Sequence, residues 1–232
     1  MCIRDRVDTT AKIISMKIFL DTASADEIMQ GLETGLIDGV TTNPTLILKN
    51  GEDVETVYGN LISMGVEDLS MEIVTDDVGI FVSEGQRLKE KYGDATTIKV
   101  PCTPAGLKAC KILTQSGIRV NVTLIFSAAQ AILAAKSGAT YISPFVGRVD
   151  DNSFDGIGLI KEISDIFTAQ MVTGTEILAA SIRDVHSVSE AFEVGADIVT
   201  LPPTVFKKMY NHILTEKGLA LFEQDYRNTV GG

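Results

Sequence analysis

Lys99 and Glu72 are the residues whose type and placement first suggest chemistry. Each interrupts a short apolar run, Lys99 between Ile98 and Val100 and Glu72 between Met71 and Ile73. If those runs are barrel strands, alternate side chains share a face, and a polar residue flanked by apolar ones points inward. Burying an unpaired ion costs several kcal/mol or shifts its pKa until it is neutral, so both residues need a partner or a purpose. A structural Lys99–Glu72 ion pair is one answer. The chemical answer is a lysine that loses its proton more easily in a low-dielectric pocket and attacks carbonyls to form a Schiff base. The resulting iminium is an electron sink for a breaking carbon–carbon bond, so a lysine with carboxylates is an aldol toolkit. Asp21, after Leu20, is the candidate for moving the substrate hydroxyl proton, and Glu72 with Thr123 for positioning the water that forms and hydrolyses the imine.

Other polar residues recur where strands should end. Asn43 closes GVTTN, Asn121 and Thr123 alternate with Val120, Val122 and Leu124, Ser143 lies between Ile142 and Pro144, and Ser181 follows Ala180. Asn43, Asn121 and Ser181 suit sugar hydroxyls. Simpler roles compete at this stage: Asp21 as a helix cap, Asn43-Pro44 as a turn, Ser143 and Ser181 as satisfied core hydroxyls. Arg148 and Arg183 are placed for an anion, with an ordinary surface salt bridge as the alternative for each. A sugar phosphate follows as the expected substrate class.

The elements that must position these residues are legible from periodicity. Eight runs rich in apolar and β-branched residues begin at Lys17, Gly39, Leu69, Thr96, Val120, Tyr141, Ile177 and Asp197. Between them lie stretches of helical period at 25–33, 53–64, 78–91, 104–115, 128–136, 158–167, 185–193 and 205–212. The strand starts recur about every 26 residues, a comfortable length for one βα unit. Ser24, Thr103, Ser127 and Asp184 sit at candidate N-caps, and Gly65, Gly93, Gly117, Gly138 and Gly195 where helices should stop. No GxGxxG follows the first strand, and the count of eight favours a closed α/β barrel, a single (β/α)8 TIM barrel, over an open doubly wound sheet. An extra C-terminal helix is expected at 216–226. Residues 1–15 stand apart from the pattern and read as a non-native or mis-called leader, with a flexible arm as the alternative; the catalytic barrel is expected over 16–232.

Composition narrows the partners. The chain has 232 residues, 45% of them hydrophobic, and a formal net charge of −11. Its mean hydropathy of +0.20 argues against disorder. The acidic balance disfavours nucleic acid and anionic membrane surfaces, and no apolar run is long enough to cross a bilayer. Cys2, Cys102 and Cys110 form an odd set without CxxC spacing, which favours a reducing cytoplasm. Two histidines, His186 and His212, without HExxH or GxSxG, leave no metal site and no serine triad to expect.

Two segments, GVTTNPT at Gly39–Thr45 and IKVP at Ile98–Pro101, resemble the signature segments of transaldolases. FLDTA, SPFVGR at Ser143–Arg148 and AASIR at Ala179–Arg183 fall in the order of that family, and the length resembles its short subfamily, which includes transaldolases and fructose-6-phosphate aldolases. The resemblance spans 16–228. It implies Lys99 as the Schiff-base lysine, Asp21 as the acid/base, and Glu72 with Thr123 at the catalytic water. Thr42, Asn43, Asn121, Ser143, Phe145 and Ser181 would contact substrate, and Arg148 and Arg183 its phosphate. The implied reaction moves a dihydroxyacetone unit from sedoheptulose 7-phosphate or fructose 6-phosphate to glyceraldehyde 3-phosphate or erythrose 4-phosphate, as in the pentose phosphate pathway, without metal or organic cofactor. The aldolase members tend to carry Gln and Tyr where this chain has Glu72 and Phe145, so both positions point to transfer. Free aldolase activity is the runner-up, and a catalytically silent sugar-phosphate-binding barrel the third reading. Members of the short subfamily that the chain resembles are typically ring-shaped oligomers, so the resemblance implies a homo-oligomer, pentamer or decamer.

Overall fold

A computed structural model of the chain describes residues 16–230; the leader at 1–15 lies outside the described residues. Strand and helix alternate as the periodicity requires. The first half runs β1 (Lys17–Asp21), α1 (Ala25–Leu32), β2 (Gly39–Thr41), α2 (Pro44–Asn50), α3 (Val54–Ser63), β3 (Leu69–Glu72), α4 (Val78–Tyr92), β4 (Thr96–Pro101) and α5 (Pro104–Gln115). The second half runs β5 (Arg119–Ile125), α6 (Ala128–Lys136), β6 (Tyr141–Pro144), α7 (Val146–Asp150), α8 (Gly156–Ala169), β7 (Glu176–Ala179), α9 (Val185–Glu193), β8 (Ile198–Leu201), α10 (Pro203–Lys208) and α11 (Ile213–Val230). The eight strands are parallel and close in sequence order, β8 pairing with β1. This is the expected (β/α)8 barrel with its extra C-terminal helix.

The helix punctuation works as local chemistry demands. The side chains of Ser24, Thr103, Ser127 and Asp184 accept backbone N–H groups in the first turns of α1, α5, α6 and α9. Gly65, Gly117 and Gly195 take φ between 76° and 105°, a left-handed turn that a Cβ would strain. Three helices depart from expectation, one of them the five-residue α7, which no periodicity announced. Asn43-Pro44 opens α2, with Asn43 accepting from Leu46 N at 3.0 Å, because proline pre-sets the first helical φ and needs no N–H there. α10 begins at Pro203 for the same reason and stops at Lys208, short of the expected 212.

Among the described residues, apolar side chains form two cores. The larger lies between the barrel and its helices and includes Val40, Met71, Ile98, Val122 and Ile142 from the outward strand positions. The smaller fills the barrel axis with Phe19, Tyr141, Leu178, Ala180 and Ile198, against which Phe145 packs. Phe19 meets Tyr141 edge to face at 6.0 Å. Gly39 makes room for it, since a Cβ there would stand 2.6 Å from the Phe19 ring.

Polar residues occupy both ends of the barrel interior, not only the C-terminal end. At the N-terminal end, buried Asp68 accepts from Thr97 Oγ1 at 2.8 Å, Arg119 at 2.8 Å and the Tyr141 hydroxyl at 2.6 Å. Lys17 and Glu176 pair beside it at 2.8 Å. This network closes the bottom and leaves the opposite mouth as the open one.

Candidate active site

A cavity of about 230 Å³ sits at the C-terminal mouth, walled by Asp21, Thr41, Asn43, Pro44, Thr45, Glu72, Lys99, Thr123, Leu124, Ser143, Phe145, Arg148, Ala180, Ser181 and Thr200. Register explains the centre. Glu72 stands directly opposite Lys99 on adjacent strands, and Asp21 opposite Thr41, so alternation sends all four side chains into the barrel.

Lys99 is 6% exposed. Its Nζ lies 3.0 Å from Glu72 Oε2 and donates to the Thr42 carbonyl at 3.0 Å. An ammonium has three donors, so these contacts leave one N–H for the cavity that Lys99 lines. Asp21 lies on the first strand of the same wall. Burial pushes its carboxyl above the ordinary range, against the opposing pull of the Lys99 charge and the hydrogen bond from Thr41 Oγ1 at 2.8 Å. Thr123 Oγ1 is buried on the wall and makes no hydrogen bond to a protein group among the described residues.

The remaining expected site residues divide. Asn43, Ser143, Phe145, Arg148 and Ser181 line the cavity. The Arg148 guanidinium carbon sits 4.7 Å over the Phe145 ring, and Phe126 packs on that ring at 5.6 Å. Thr42, Asn121 and Arg183 are not among the lining residues. Outward alternation turns the Thr42 hydroxyl to the Ser70 carbonyl at 2.9 Å, so only its backbone serves the site. Asn121 lies one layer below, donating to Ser70 Oγ at 3.2 Å and accepting from Ser143 Oγ at 2.7 Å, and therefore orients a wall residue. Arg183 is half exposed and held by both oxygens of Asp151, the surface pair that had been the alternative.

Several wall residues escape the sequence reasoning. Thr41 lies two positions before Asn43, and Thr200 sits between apolar neighbours, so the alternation rule that found Lys99 would have found both. Leu124 carried no such signal. A register shift between Val122 and Ile125 accompanies its φ of 60°, and the irregularity turns Leu124 to the cavity beside Thr123, which alternation already points inward. Ser181 is also left-handed, with a φ of 60°. Among the described residues, no cluster of three or more His, Cys, Asp or Glu is placed to hold a metal ion.

A closed (β/α)8 barrel with a buried lysine, two carboxylates and an arginine converging on its C-terminal mouth has the build of a barrel enzyme. The family model described as Transaldolase/Fructose-6-phosphate aldolase matches residues 18–230, and the chain belongs to that family. It is 49% identical to a probable transaldolase of Paracoccus denitrificans, over 92% of this chain and 98% of that one. It is 50% identical to a probable transaldolase of Nitrosopumilus maritimus, over 91% and 95%. A solved mandelate oxidase mutant with a monooxide FMN adduct shares the fold alone, with a TM-score of 0.57 and 14% identity over 82% of this chain and 65% of that one.

Proposed function

We propose that this enzyme is a transaldolase working through a Schiff base on Lys99. The observation that carries the reading is a buried amine, 3.0 Å from Glu72, sharing one cavity with Asp21. Lys99 gives up a proton and its nitrogen attacks the ketose carbonyl carbon. Loss of water leaves the iminium. Asp21 takes the proton of the hydroxyl on the far carbon of the breaking bond, that carbon becomes the aldehyde, the bonding electrons flow into the iminium to give an enamine, and the first aldose phosphate departs. A second aldose phosphate enters, the enamine carbon attacks its aldehyde, and Asp21 returns the proton. Glu72 and the unbonded hydroxyl of Thr123 position the water that releases Lys99.

The donor is a ketose phosphate such as sedoheptulose 7-phosphate or fructose 6-phosphate. Arg148 holds the phosphate, while Asn43, Ser143 and Ser181 meet hydroxyls, with Thr42 and Asn121 supporting from behind and Arg183 contributing only if it leaves Asp151. Transfer is favoured over release of free dihydroxyacetone because Phe145 presents an apolar ring where a tyrosine hydroxyl would hold water. The exposed apolar residues of α11, including Leu219, Phe222 and Tyr226, fit self-association. Among the described residues Cys102 and Cys110 are unpaired, which fits a cytoplasmic setting.

Borohydride reduction with donor present should leave a covalent adduct on Lys99, and its absence would reduce the protein to a binding barrel. In a coupled assay, turnover should require the aldose phosphate acceptor; free dihydroxyacetone released at a comparable rate without acceptor would favour the aldolase. Phe145→Tyr should raise that side reaction.

A further inference from the structure

Inside the barrel mouth, Thr41 from β2 and Thr200 from β8 reach across the intervening β1 and touch, with their hydroxyl oxygens 2.6 Å apart. Both residues are buried. The direction of this contact is decided by Asp21. An ionised carboxylate only accepts, and Thr41 Oγ1 lies 2.8 Å from Asp21 Oδ1, so the single Thr41 proton points to Asp21. Thr41 then has only lone pairs to offer Thr200, and Thr200 must donate. The result is a one-way chain from Thr200 to Thr41 to Asp21 Oδ1.

We propose that Thr200 is a positioning residue for Asp21, acting through Thr41 to reserve Oδ1 as an acceptor and to direct the mobile proton to Oδ2. The inference rests on the reading of Asp21 as the proton-transfer group. With Oδ1 engaged, Oδ2 remains for the proton, and among the described residues no protein side chain hydrogen-bonds it. Without Thr200, the Thr41 hydroxyl is free to turn and accept from a protonated Asp21, so the neutral carboxyl gains a partner at the expense of the ionised one. The charged groups around Asp21 are Lys99 on β4, Glu72 on β3 and Arg148 on α7. Among the described residues the one side-chain hydrogen bond of Thr200 is to Thr41, so replacing it alters the hydrogen-bond chain while leaving those charges in place. Thr41 and Thr200 are only 2% and 3% exposed on the cavity wall, which limits the room for a water to substitute for a lost donor.

The test compares Thr200→Val, which keeps the shape and removes the donor, with Thr200→Ser, which restores a hydroxyl. In the pH profile of kcat/KM for donor cleavage, the acid limb should move up by about half to one pH unit in Thr200→Val and return in Thr200→Ser. Direct 13C titration of the Asp21 carboxyl in the unliganded protein should show the same upward displacement for Thr41→Val, which provides a second reading if Thr200→Val folds poorly. Borohydride trapping on Lys99 is run on every protein. No adduct in the wild type would defeat the proposed function itself. Adducts throughout, with an unmoved acid limb and Asp21 titration, would overturn the Thr200 chain alone, as would a Thr200→Ser variant shifted as far as the valine.

Discussion

Glu72 Oε2 and Lys99 Nζ stand 3.0 Å apart at directly opposed positions of β3 and β4, with side chains 15% and 7% exposed. A pair this dry is costly to break from one side, because the survivor keeps its charge without a partner. Lys99→Met is expected to abolish turnover and to cost about 3–5 kcal/mol of stability at neutral pH, whereas Lys99→Met with Glu72→Gln should recover most of that loss. Urea titrations of the two proteins decide; equal midpoints would mean that the pair contributes little to the fold.

Asp21 gives a pH signature of known sign. Its carboxyl is raised by burial, so the folded protein holds that proton more tightly than the unfolded chain. Below the ordinary carboxylate range both states are protonated and nothing is lost. As pH climbs from there through the raised folded value, the unfolded chain ionises first and stability falls, and the penalty is complete above it. Asp21→Asn keeps an acceptor for Thr41 and removes the charge. It should melt higher than the parent at pH 7 and level with it near pH 3, while losing about 10²–10⁴ in turnover. A calorimetric scan showing the asparagine protein less stable at pH 7 would contradict this.

The two arginines should separate kinetically. Arg148 lines the cavity over Phe145, whereas Arg183 is already gripped by Asp151, whose carboxyl that guanidinium lowers. Removal of Arg148 should raise KM for a phosphorylated donor by about 100-fold, a charge-assisted contact being worth roughly 1.5–3 kcal/mol, and Arg183→Ala by less than about tenfold. Steady-state comparison with a non-phosphorylated donor tests it. An equal penalty for Arg183 would show that it leaves Asp151 when substrate binds.

At the closed end of the barrel, Asp68 is a single acceptor for three donors from β4, β5 and β6. Asp68→Ala strands Arg119, Thr97 and the Tyr141 hydroxyl and should cost about 3–5 kcal/mol, with Asp68→Asn milder because it retains an acceptor. Denaturant midpoints should fall in that order, and KM of the folded enzyme should hold, since Asp68 is not part of the cavity wall. A milder alanine than asparagine would refute the network as a stabilising unit.

The strands, most helices and the inward set were legible because local rules govern them. A period of two places Asp21, Glu72, Lys99 and Thr123 on one face, and capping side chains mark α1, α5, α6 and α9 within three or four residues of chain. What escaped was short or cooperative. α7 has five residues, too few for a period, and α2 hides behind an Asn-Pro that reads equally as a turn. Leu124 faces the cavity through a backbone irregularity that its side chain does not announce.

By itself the sequence determined eight strand and helix units, the family, and which polar residues turn away from the helices, since each follows from neighbours along the chain. Only the tertiary structure decided who meets whom across the closed ring. Thr41 and Thr200 touch across a sequence separation of 159 because β8 returns beside β1, and Arg183 is bound to Asp151 on the rim. Such contacts depend on strand stagger and closure, quantities fixed by the packing of all eight units together and carried by no local stretch of residues.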